Sequence, residues 1–436
     1  MSTSANSVIV IGAGIAGLAA ARALAEAGKR VTLIEARERA GGRILTIPAA
    51  AGGLPVELGA EFIHGLPPEL IRLVDEAGLT RFELEGDCRC YREEQGVGRL
   101  EPCGDQHEID ELFEELGHLR LPRDSPDLSF HEFVVQRGLG AEANARATNY
   151  VEGFNAADAN RISIRSLAKQ QAAEDAISGD RLFRVVEGYS RVPEFLLRRF
   201  LDAGGEFFAA APVRSVDWRP GWVEVATLAN RVFQASSAIL TLPLGVLQAR
   251  SVAFSPQPAE ILETADRLAM GPVARVVYEF DGSFWSQSRL EGVSFLFAPE
   301  ATPPTWWTTN PRPSSMLTGW MAGRNVNRLK MDELPDTGLA TLAAILSSSS
   351  PRSNLPLDVR KYLVRWHLHD WQMDPHSLGA YTYVPKGAIH ASDELSVPVE
   401  GTLFFAGEHT DTSGHWGTVH GALRSGYRAA EQVLAR

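Results

Sequence analysis

Three glycines and one acidic residue near the start of the chain have the types and spacing needed to hold a dinucleotide. Gly12, Gly14 and Gly17 fit G-x-G-x-x-G, and Glu35 ends the next apolar run. Glycines at these positions allow a tight turn, the close approach of a pyrophosphate and close packing of a helix on a strand. The acid can accept hydrogen bonds from an adenosine ribose. These residues, together with Ala16 in the first turn after the glycines, form the first part of a predicted cofactor site.

The flanking sequence supplies the elements that must position these residues. Val8–Ile11 is a continuous β-branched run, typical of a parallel strand buried on both faces. Apolar residues at helical spacing follow it, Gly28 is placed to end that helix, and Val31–Glu35 begins a second strand. The sequence therefore predicts a strand–helix–strand unit whose helix N-terminus faces the phosphates. This fingerprint alone does not separate NAD from FAD.

The segment after Glu35 narrows the choice of cofactor. In EARERAGGRILT, two glycines and Arg43 follow the acid closely, and an arginine there can make charge-assisted contacts with a pyrophosphate. This continuation resembles the flavin-binding signature of the amine oxidase family. Further segments resemble other blocks of that family in the same order, and the string Thr418–Leu423 is closer to its polyamine oxidase and histone demethylase branch. These segments are Val56–Gly65, Ala238–Ala249, Met270–Trp285, Trp371–Gly387 and Phe404–Gly426.

The resemblance implies that the cofactor is FAD and suggests which residues contact it. Backbone of Val56–Gly65 would lie along the isoalloxazine ring, Val213 would contact adenine, and Glu408 would lie on the ribityl or phosphate side. Thr418 and Val419 begin a helix whose N-terminus would lie beside the flavin's pyrimidine ring; an ordinary capped terminal helix is the alternative. The remaining cofactor contacts implied in this way are Ala36, Arg37, Gly42, Arg43, Gly59, Ala60, Glu61, Phe62, Trp371 and Gly407.

The resemblance also implies an amine substrate held by aromatic side chains. Tyr381 matches one wall of the family's aromatic cage, whereas Thr418 occupies the position of the second aromatic, so the cage is half open, as in the polyamine-oxidising branch. Trp371 matches a tryptophan packed against the flavin, and His64 matches a histidine that faces the substrate. Trp416 is a further candidate wall, although tryptophans and isolated histidines are most often core residues.

Two substitutions depart from the family pattern. Ala380 replaces the cysteine that bonds covalently to flavin in monoamine oxidases, so we expect FAD to be non-covalent. Arg275 stands where the pattern has a lysine that holds a water against the flavin nitrogen. Arginine stays charged and makes planar contacts, whereas lysine can lose its proton when buried. Arg275 therefore either provides a fixed cation beside the flavin or turns away to pair with a carboxylate, and rapid use of oxygen is not assured.

The reaction implied is hydride transfer from the carbon next to an amine nitrogen to FAD, giving an imine that water hydrolyses. The predicted catalytic residues are Arg275, Tyr381, Trp371, His64 and Thr418. Oxygen or another electron acceptor would complete the cycle. Two rival functions stay open at this stage: a flavin dehydrogenase, desaturase or isomerase that acts on a non-amine, and a flavoprotein subunit without turnover.

The fold expected is α/β. A Rossmann-like FAD-binding domain, with a parallel sheet, is assembled from residues 1–80, 184–269 and 388–436. An α+β substrate-binding domain takes residues 81–183 and 270–387. Within the latter, Leu100–Leu119 and the segment beginning at Phe130 are expected to be helical, and Phe183–Gly205 is expected to form a strand followed by a helix.

Composition excludes several other classes of protein. The formal net charge of −12 argues against nucleic acid as a partner, and no apolar run is long enough to cross a membrane. The three cysteines are expected to be reduced and structural, and the chain cytoplasmic. His367 and His369 would share one face of a strand, but no third ligand is evident, so no metal site is expected. The sequence does not indicate an oligomeric state.

Overall fold

The structure is a computed structural model that describes residues 6–50, 52–95, 97–103, 107–119, 122, 125–282, 290–328, 330–348 and 358–436. Its first elements are the strand Ser7–Ile11, the helix Ile15–Glu26 and the strand Arg30–Ile34. Gly28, two residues past the helix, has a φ of +81° in the left-handed region that favours glycine. The predicted strand–helix–strand unit is confirmed.

This unit forms part of a five-stranded parallel sheet. Val10 lies opposite Leu33 on one neighbour and Ile239 on the other. Val8 and Val10 point into one apolar core, while Ile9 and Ile11 point into a second core on the opposite face. Burial on both faces explains the continuous apolar run in the sequence. In spatial order the strands are Glu206–Phe208, Arg30–Ile34, Ser7–Ile11, Ser237–Leu240 and Leu403–Phe405.

Helices cover one face of the sheet, and a second sheet with further helices covers the other. Ile15–Glu26 packs against Arg191–Asp202 and Val419–Leu434. The strand Leu182–Val185 precedes Arg191–Asp202, as predicted for this return segment. The opposite face carries the helices Leu244–Gln248, Ala259–Arg267 and Ala391–Leu395, and a four-stranded sheet of Val232–Ala235, Trp222–Thr227, Val213–Arg219 and Ala253–Ser255.

A larger mixed sheet and a group of helices form the rest of the molecule. Helix Leu334–Ser348 buries Leu342 and Ile345 against this sheet. All neighbouring strands are antiparallel except Val293–Phe297 and Asp87–Glu94, which are parallel. The seven strands, in order, are Leu363–Leu368, Val273–Phe280, Met316–Ala322, Thr305–Trp307, Val293–Phe297, Asp87–Glu94 and Val97–Pro102.

The helical group partly matches the sequence prediction. Phe130–Arg137 is a helix, with Ser129 and Glu132 forming a capping box and Gly138 in the left-handed conformation after it. The prediction for Leu100–Leu119 is wrong at its start, because Val97–Pro102 is a strand that pairs with Asp87–Glu94; residues 104–106 lie outside the described residues. The other helices of this group are His107–His118, Ala141–Asn155 and Ile164–Asp175.

Short elements connect these parts. One pair of strands, Ala269–Gly271 with Tyr381–Tyr383, crosses the predicted domain boundary at residue 269, so the division into domains stays a prediction. The remaining short elements are the strands Thr46–Ile47, Val56–Glu57, Ile63–His64 and Arg81–Glu83, the helix Pro68–Glu76, and the 3-10 helices Gly323–Arg328, Met331–Glu333, Val359–Tyr362 and Glu408–Thr410.

The structure corrects the expectation of three reduced cysteines. Cys90 and Cys103 form a disulfide, with Cα atoms 4.9 Å apart, while Cys88 is free and exposed. The hairpin of Asp87–Glu94 and Val97–Pro102 brings the two residues together, a pairing that the C-x-C spacing does not reveal. Within the described part of the chain, no helix combines the length and apolar character needed to span a bilayer.

Candidate active site

One cavity of about 1350 Å³ runs between the parallel sheet and the mixed sheet. It is larger than the roughly 300–1,000 Å³ of an ordinary small-molecule pocket, so it has room for a dinucleotide and a second molecule. Except for Gly17, every residue that the sequence predicts for the site lines it: Gly12, Gly14, Ala16, Glu35, Ala36, Arg37, Gly42, Arg43, Gly59, Ala60, Glu61, Phe62, His64, Val213, Arg275, Trp371, Tyr381, Gly407, Glu408, Thr418 and Val419.

Among the three glycines of this turn, Gly12 and Gly17 are closely surrounded by other atoms, whereas Gly14 faces open space. A Cβ at Gly17 would collide with the carbonyl oxygen of Gly12, so only glycine at this position lets the helix pack closely against the turn. A Cβ at Gly14 would have no atom within 4 Å. Gly14 is the N-cap of helix Ile15–Glu26 and supplies no side chain to cap it. Free N–H groups at a helix N-terminus attract anions, so this end of the cavity suits phosphate groups.

Glu35 is fixed at the end of its strand by backbone hydrogen bonds. It is buried, and its carboxylate accepts from the N–H of Ala13 at 2.6 Å and of Arg37 at 2.9 Å. An ionised carboxylate has about four acceptor sites, so Glu35 can still accept ribose hydroxyls. The Arg37 side chain points to Asp374, at 2.6 Å, and to Ser377, at 2.9 Å. The conformation of this corner is thus set before a ligand enters.

Glu408 is hydrogen-bonded to three separate segments of the site. Its carboxylate accepts hydrogen bonds from Arg43 at 2.8 Å, Thr382 at 3.0 Å and the Gly417 N–H at 3.0 Å. Burial acts to raise the pKa of Glu408, but Arg43 and the hydrogen bonds outweigh it and hold the pKa below its usual value. Arg43 also donates to the Ala380 carbonyl at 2.7 Å. One guanidinium nitrogen of Arg43 is therefore engaged within the protein, and its predicted contact with a pyrophosphate stays a prediction.

Arg275 lines the cavity and pairs with a carboxylate, as the second alternative from the sequence has it, while its position beside a flavin stays a prediction. Its guanidinium donates to Glu61 and, at 2.8 Å, to the Gly59 carbonyl, and it lies 5.4 Å from the centre of the Trp307 ring. Glu61 also forms an ion pair with Arg184 at 3.0 Å and accepts from the Trp307 indole at 3.1 Å. Burial lowers the pKa of Arg275, and the charge of Glu61 opposes that shift.

A second buried carboxylate lies beside this network. Glu57 accepts from the Thr46 hydroxyl at 2.6 Å and the Tyr189 N–H at 2.8 Å. Burial raises its pKa to about 7 despite those hydrogen bonds, and the charge of Glu61 adds to the shift. Near neutral pH Glu57 is therefore not fully ionised, which reduces the electrostatic cost of burying it near Glu61.

Tyr381 and Trp371 are held by hydrogen bonds to the backbone of neighbouring segments. The Tyr381 hydroxyl donates to the Phe154 carbonyl at 2.8 Å, and the Trp371 indole donates to the Leu58 carbonyl at 2.9 Å. Burial raises the pKa of Tyr381, so its phenol stays protonated. A Cβ on Gly417 would touch the Tyr381 ring at 3.0 Å, so the two are in close contact. Fixed rings can hold an amine through its methylene groups and its charge.

The terminal helix Val419–Leu434 is capped, and it also begins at the cavity. Thr418 accepts from the Gly421 N–H at 3.0 Å and donates to the His415 carbonyl at 2.8 Å. The capping satisfies one of the helix's free N–H groups. Thr418 and Val419 line the cavity, so the remaining positive end of the helix dipole acts on it. The cap is therefore present, and the position of this helix end beside a flavin stays a prediction.

Comparison with known proteins identifies the family. Residues 15–434 match the family of flavin containing amine oxidoreductases. The chain belongs to this family. It is 29% identical to polyamine oxidase 2 of Arabidopsis thaliana, over the whole chain and 89% of that protein, and 30% identical to polyamine oxidase 3 of rice, over 99% of the chain and 89% of that protein. It is 28% identical to a rice lysine-specific histone demethylase 1 homolog, of which it covers 57%.

Solved structures show the same fold. A double mutant of putrescine oxidase superposes with a TM-score of 0.82 at 25% identity, over 99% of both chains. Cyclohexylamine oxidase from Brevibacterium oxydans has a TM-score of 0.81 at 23% identity, again over 99% of both chains. The molecule is therefore a flavin-dependent amine oxidoreductase with an α/β fold, similar to polyamine oxidases and histone demethylases, as predicted from its motifs.

Sequence reasoning missed several aromatic walls of this amine oxidoreductase. The Phe62 ring lies 5.5 Å from Trp307, and Trp307 lies 5.8 Å from Trp320, between ring centres. The Phe154 ring meets His64 edge-on at 5.6 Å. Phe154, Trp307 and Trp320 all line the cavity. They come from segments without a local motif, so only their position in the fold identifies them.

The two histidines considered as a metal pair contact different carboxylates. His367 contacts Glu279 at 2.6 Å, whereas His369 contacts Asp374 at 3.2 Å. Burial lowers the pKa of His64, the histidine predicted to face the substrate, to about 4. His64 is therefore neutral at physiological pH and is a weak base there.

Proposed function

We propose that this amine oxidoreductase binds FAD without a covalent bond and oxidises the carbon–nitrogen bond of a mono- or polyamine. One observation carries the proposal: a single cavity is lined both by a helix N-terminus without a side-chain cap, at Gly14, and by the aromatic side chains of Tyr381 and Trp371, which are held by hydrogen bonds. Its similarity to proteins named polyamine oxidases supports an amine as substrate. The product would be an imine that water hydrolyses to an aldehyde, with hydrogen peroxide as a second product if oxygen accepts the electrons.

The residues present fit FAD. The open space at Gly14 and the uncapped helix behind it suit a pyrophosphate, and the Glu35 carboxylate suits the ribose next to it. Val213, on the strand that follows Pro212, extends the cavity to where an adenine would lie. Ala380 offers no sulfur to bond to the ring. When bound, FAD supplies a two-electron acceptor that takes a hydride from the carbon next to the amine nitrogen.

The protein's own residues select and position the amine. Tyr381, Trp307 and Trp320 offer aromatic faces to its methylene groups and exclude water from the reacting carbon. Since the lone pair of the nitrogen drives the loss of hydride, the neutral amine is the reactive form. His64 has too low a pKa to take the proton from an ammonium group efficiently. We therefore propose that the amine loses its proton by another route or binds neutral.

The positive charges of the site stabilise the negative charge that develops when the amine gives up its electrons. Arg275 and the N-terminus of helix Val419–Leu434 both favour negative charge at this end of the cavity. Glu61 offsets a large part of the Arg275 charge. The net positive charge near Arg275 is therefore smaller than an unpaired cation at that position would give. We propose that the electron acceptor is either oxygen or an external carrier.

A steady-state experiment tests the proposal. The purified, FAD-loaded protein is given monoamines, diamines, polyamines and amino acids, with oxygen in one series and an artificial electron acceptor in another. We expect aldehyde formation from at least one amine, with kcat/KM rising as pH increases because more of the amine is neutral. A flat profile between about pH 6 and 10, or no turnover with either acceptor, would contradict amine oxidation. Flavin that stays with the protein after denaturation would contradict non-covalent binding.

A further inference from the structure

The three cysteines of the chain lie together near one edge of the mixed sheet, and the proposed reaction uses none of them. Cys88 and Cys90 belong to strand Asp87–Glu94, and Cys103 directly follows the edge strand Val97–Pro102. Successive side chains of a strand alternate between its two faces, so Cys88 and Cys90 lie on the same face of the sheet. The disulfide between Cys90 and Cys103 leaves Cys88, two residues away, as a free thiol.

The register of the hairpin places Cys88, rather than Cys90, directly across from Cys103. Arg89 lies opposite Pro102, so the next pair along the ladder is Cys88 with Cys103. The Cys103 N–H donates to the Cys88 carbonyl at 3.5 Å, which agrees with this pairing. Directly opposite residues of an antiparallel pair have Cα atoms about 4.5–5.5 Å apart, within the range that a disulfide spans. Cys103 therefore has two cysteines within bonding range, of which one is bonded.

The two cysteines within range of Cys103 have different surroundings. Cys90 lines the cavity, and so does Phe297, which lies opposite it on the neighbouring parallel strand. Cys88 is exposed and is not among the described residues that line the cavity. The choice of bonding partner therefore decides whether the cavity wall carries half of a disulfide or a free thiol.

We propose that Cys88 is a thiol-exchange site that takes over the disulfide from Cys90. The Cys88 thiolate attacks the sulfur of Cys103, an S–S bond forms between these two residues, and the bond from Cys103 to Cys90 breaks. Cys90 leaves as a thiolate and takes up the proton that Cys88 has released, so the exchange consumes no oxidant or reductant. The product carries a free thiol in the cavity wall, where small electrophiles such as alkylating agents can modify it.

The environment of Cys88 makes the exchange slow enough to be trapped. Partial burial of its thiol raises the pKa of Cys88, and the negative charge of Asp87 raises it further. Arg89 offsets part of that charge, because it pairs with Asp87 at 2.9 Å. Only the thiolate attacks a disulfide, so the raised pKa lowers the reactive fraction of Cys88. Uncatalysed disulfide rearrangement takes minutes to hours, and acid, which removes the thiolate, stops it at once.

Trypsin separates the three cysteines, so peptide mapping identifies which two are bonded. The FAD-loaded protein is equilibrated without reductant, exchange is stopped with acid, and free thiols are capped with N-ethylmaleimide in urea before digestion. No free thiol then remains to rearrange the bonds. The cross-linked pair of peptides shows which disulfide was present. The peptides that carry Cys88, Cys90 and Cys103 are Phe82–Arg89, Cys90–Arg92 and Leu100–Arg120.

We expect most wild-type molecules to carry the bond between Cys90 and Cys103, and about 0.1–10% to carry the bond between Cys88 and Cys103, with Cys90 capped. Cys88→Ser and Cys90→Ser are matched variants, since each replaces one sulfur by oxygen. In a glutathione redox buffer Cys90→Ser should form the bond between Cys88 and Cys103, with an equilibrium constant about 10- to 1000-fold below that of the bond in Cys88→Ser. This ratio should equal the ratio of the two bonds in the wild type.

The result that overturns the inference is equally definite. It is wrong if the peptide pair that joins Cys88 to Cys103 is absent from the wild type, or if Cys90→Ser keeps both thiols free at every glutathione ratio that closes the bond in Cys88→Ser. Only monomeric protein is digested, which removes bonds between two molecules, and the flavin spectrum before acidification shows that each variant is folded. No step depends on amine oxidation, so failure of this test and failure of the proposed function are distinguishable.

Discussion

Glu61 is the residue on which the buried charge network depends most. It lies between two buried guanidinium groups, those of Arg275 and Arg184, and also accepts from the Trp307 indole. Glu61→Gln keeps the size and one carbonyl oxygen but removes the negative charge. The two arginines, 4% and 5% exposed, would then keep only Glu57, which has no ion pair with either, as an acidic neighbour.

The size of the effect follows from that burial. Removing one partner of a buried ion pair costs about 3–5 kcal/mol, because the remaining charge stays buried and unpaired. An exposed ion pair contributes about 0–1 kcal/mol. Glu83 and Arg181 form such a pair at 2.6 Å on the surface, and Glu83→Gln is therefore the matched control.

Urea denaturation, with and without FAD, measures both variants and the single variant Arg275→Gln. We expect Glu61→Gln to lose about 3–5 kcal/mol and Glu83→Gln less than about 1 kcal/mol. In the double variant Glu61→Gln/Arg275→Gln, part of the loss should be recovered, because one unpaired cation has gone. If Glu61→Gln unfolds at the same urea concentration as the control, or if the double variant is less stable by the full sum of both single losses, the network does not have the role described.

Two further predictions concern the cofactor turn and the second buried carboxylate. Gly14→Val should leave the urea midpoint nearly unchanged but weaken FAD binding at least about tenfold, because its side chain enters the open space proposed for phosphate. Gly17→Val should instead destabilise the fold, because its side chain collides with Gly12. Equal behaviour of the two variants in FAD titration and denaturation would refute this. The pKa of Glu57 is about 7 in the folded protein and near 4.5 when unfolded, so its contribution is fully present below about pH 4.5 and is lost as pH rises through 7. Glutamine at this position cannot ionise. The free energy of unfolding of Glu57→Gln, relative to that of the wild type, should therefore rise by about 3 kcal/mol between pH 4.5 and 8. A difference between the two proteins that does not change with pH would show that Glu57 is not buried in this way.

Local patterns correctly predicted the strand–helix–strand unit that carries the glycine turn. Gly12, Gly14, Gly17 and Glu35 lie within one strand–helix–strand unit, where the backbone conformation of a few residues fixes the geometry. The alternation of buried residues on both faces of Ser7–Ile11 likewise follows from the composition of that segment. Such features depend on near neighbours in the chain, so they can be read from the sequence.

The partners of the charged residues could not be predicted in the same way. Glu61 was selected as part of a backbone segment, and nothing near it in the sequence indicates that its side chain joins Arg275 and Arg184. The disulfide between Cys90 and Cys103 depends on the register of a hairpin, which the cysteine spacing does not specify.

The most direct test of the central claim is to mix the FAD-loaded protein with amines in the absence of oxygen and to follow the visible absorption of the oxidised flavin. If the cavity places an amine against the flavin as described, at least one mono- or polyamine will bleach this band in a single turnover, and the matching aldehyde will appear in stoichiometric amount. If the band is unchanged with every amine of a broad panel, although the protein is folded and has bound FAD, the assignment of amine oxidation to this site is wrong.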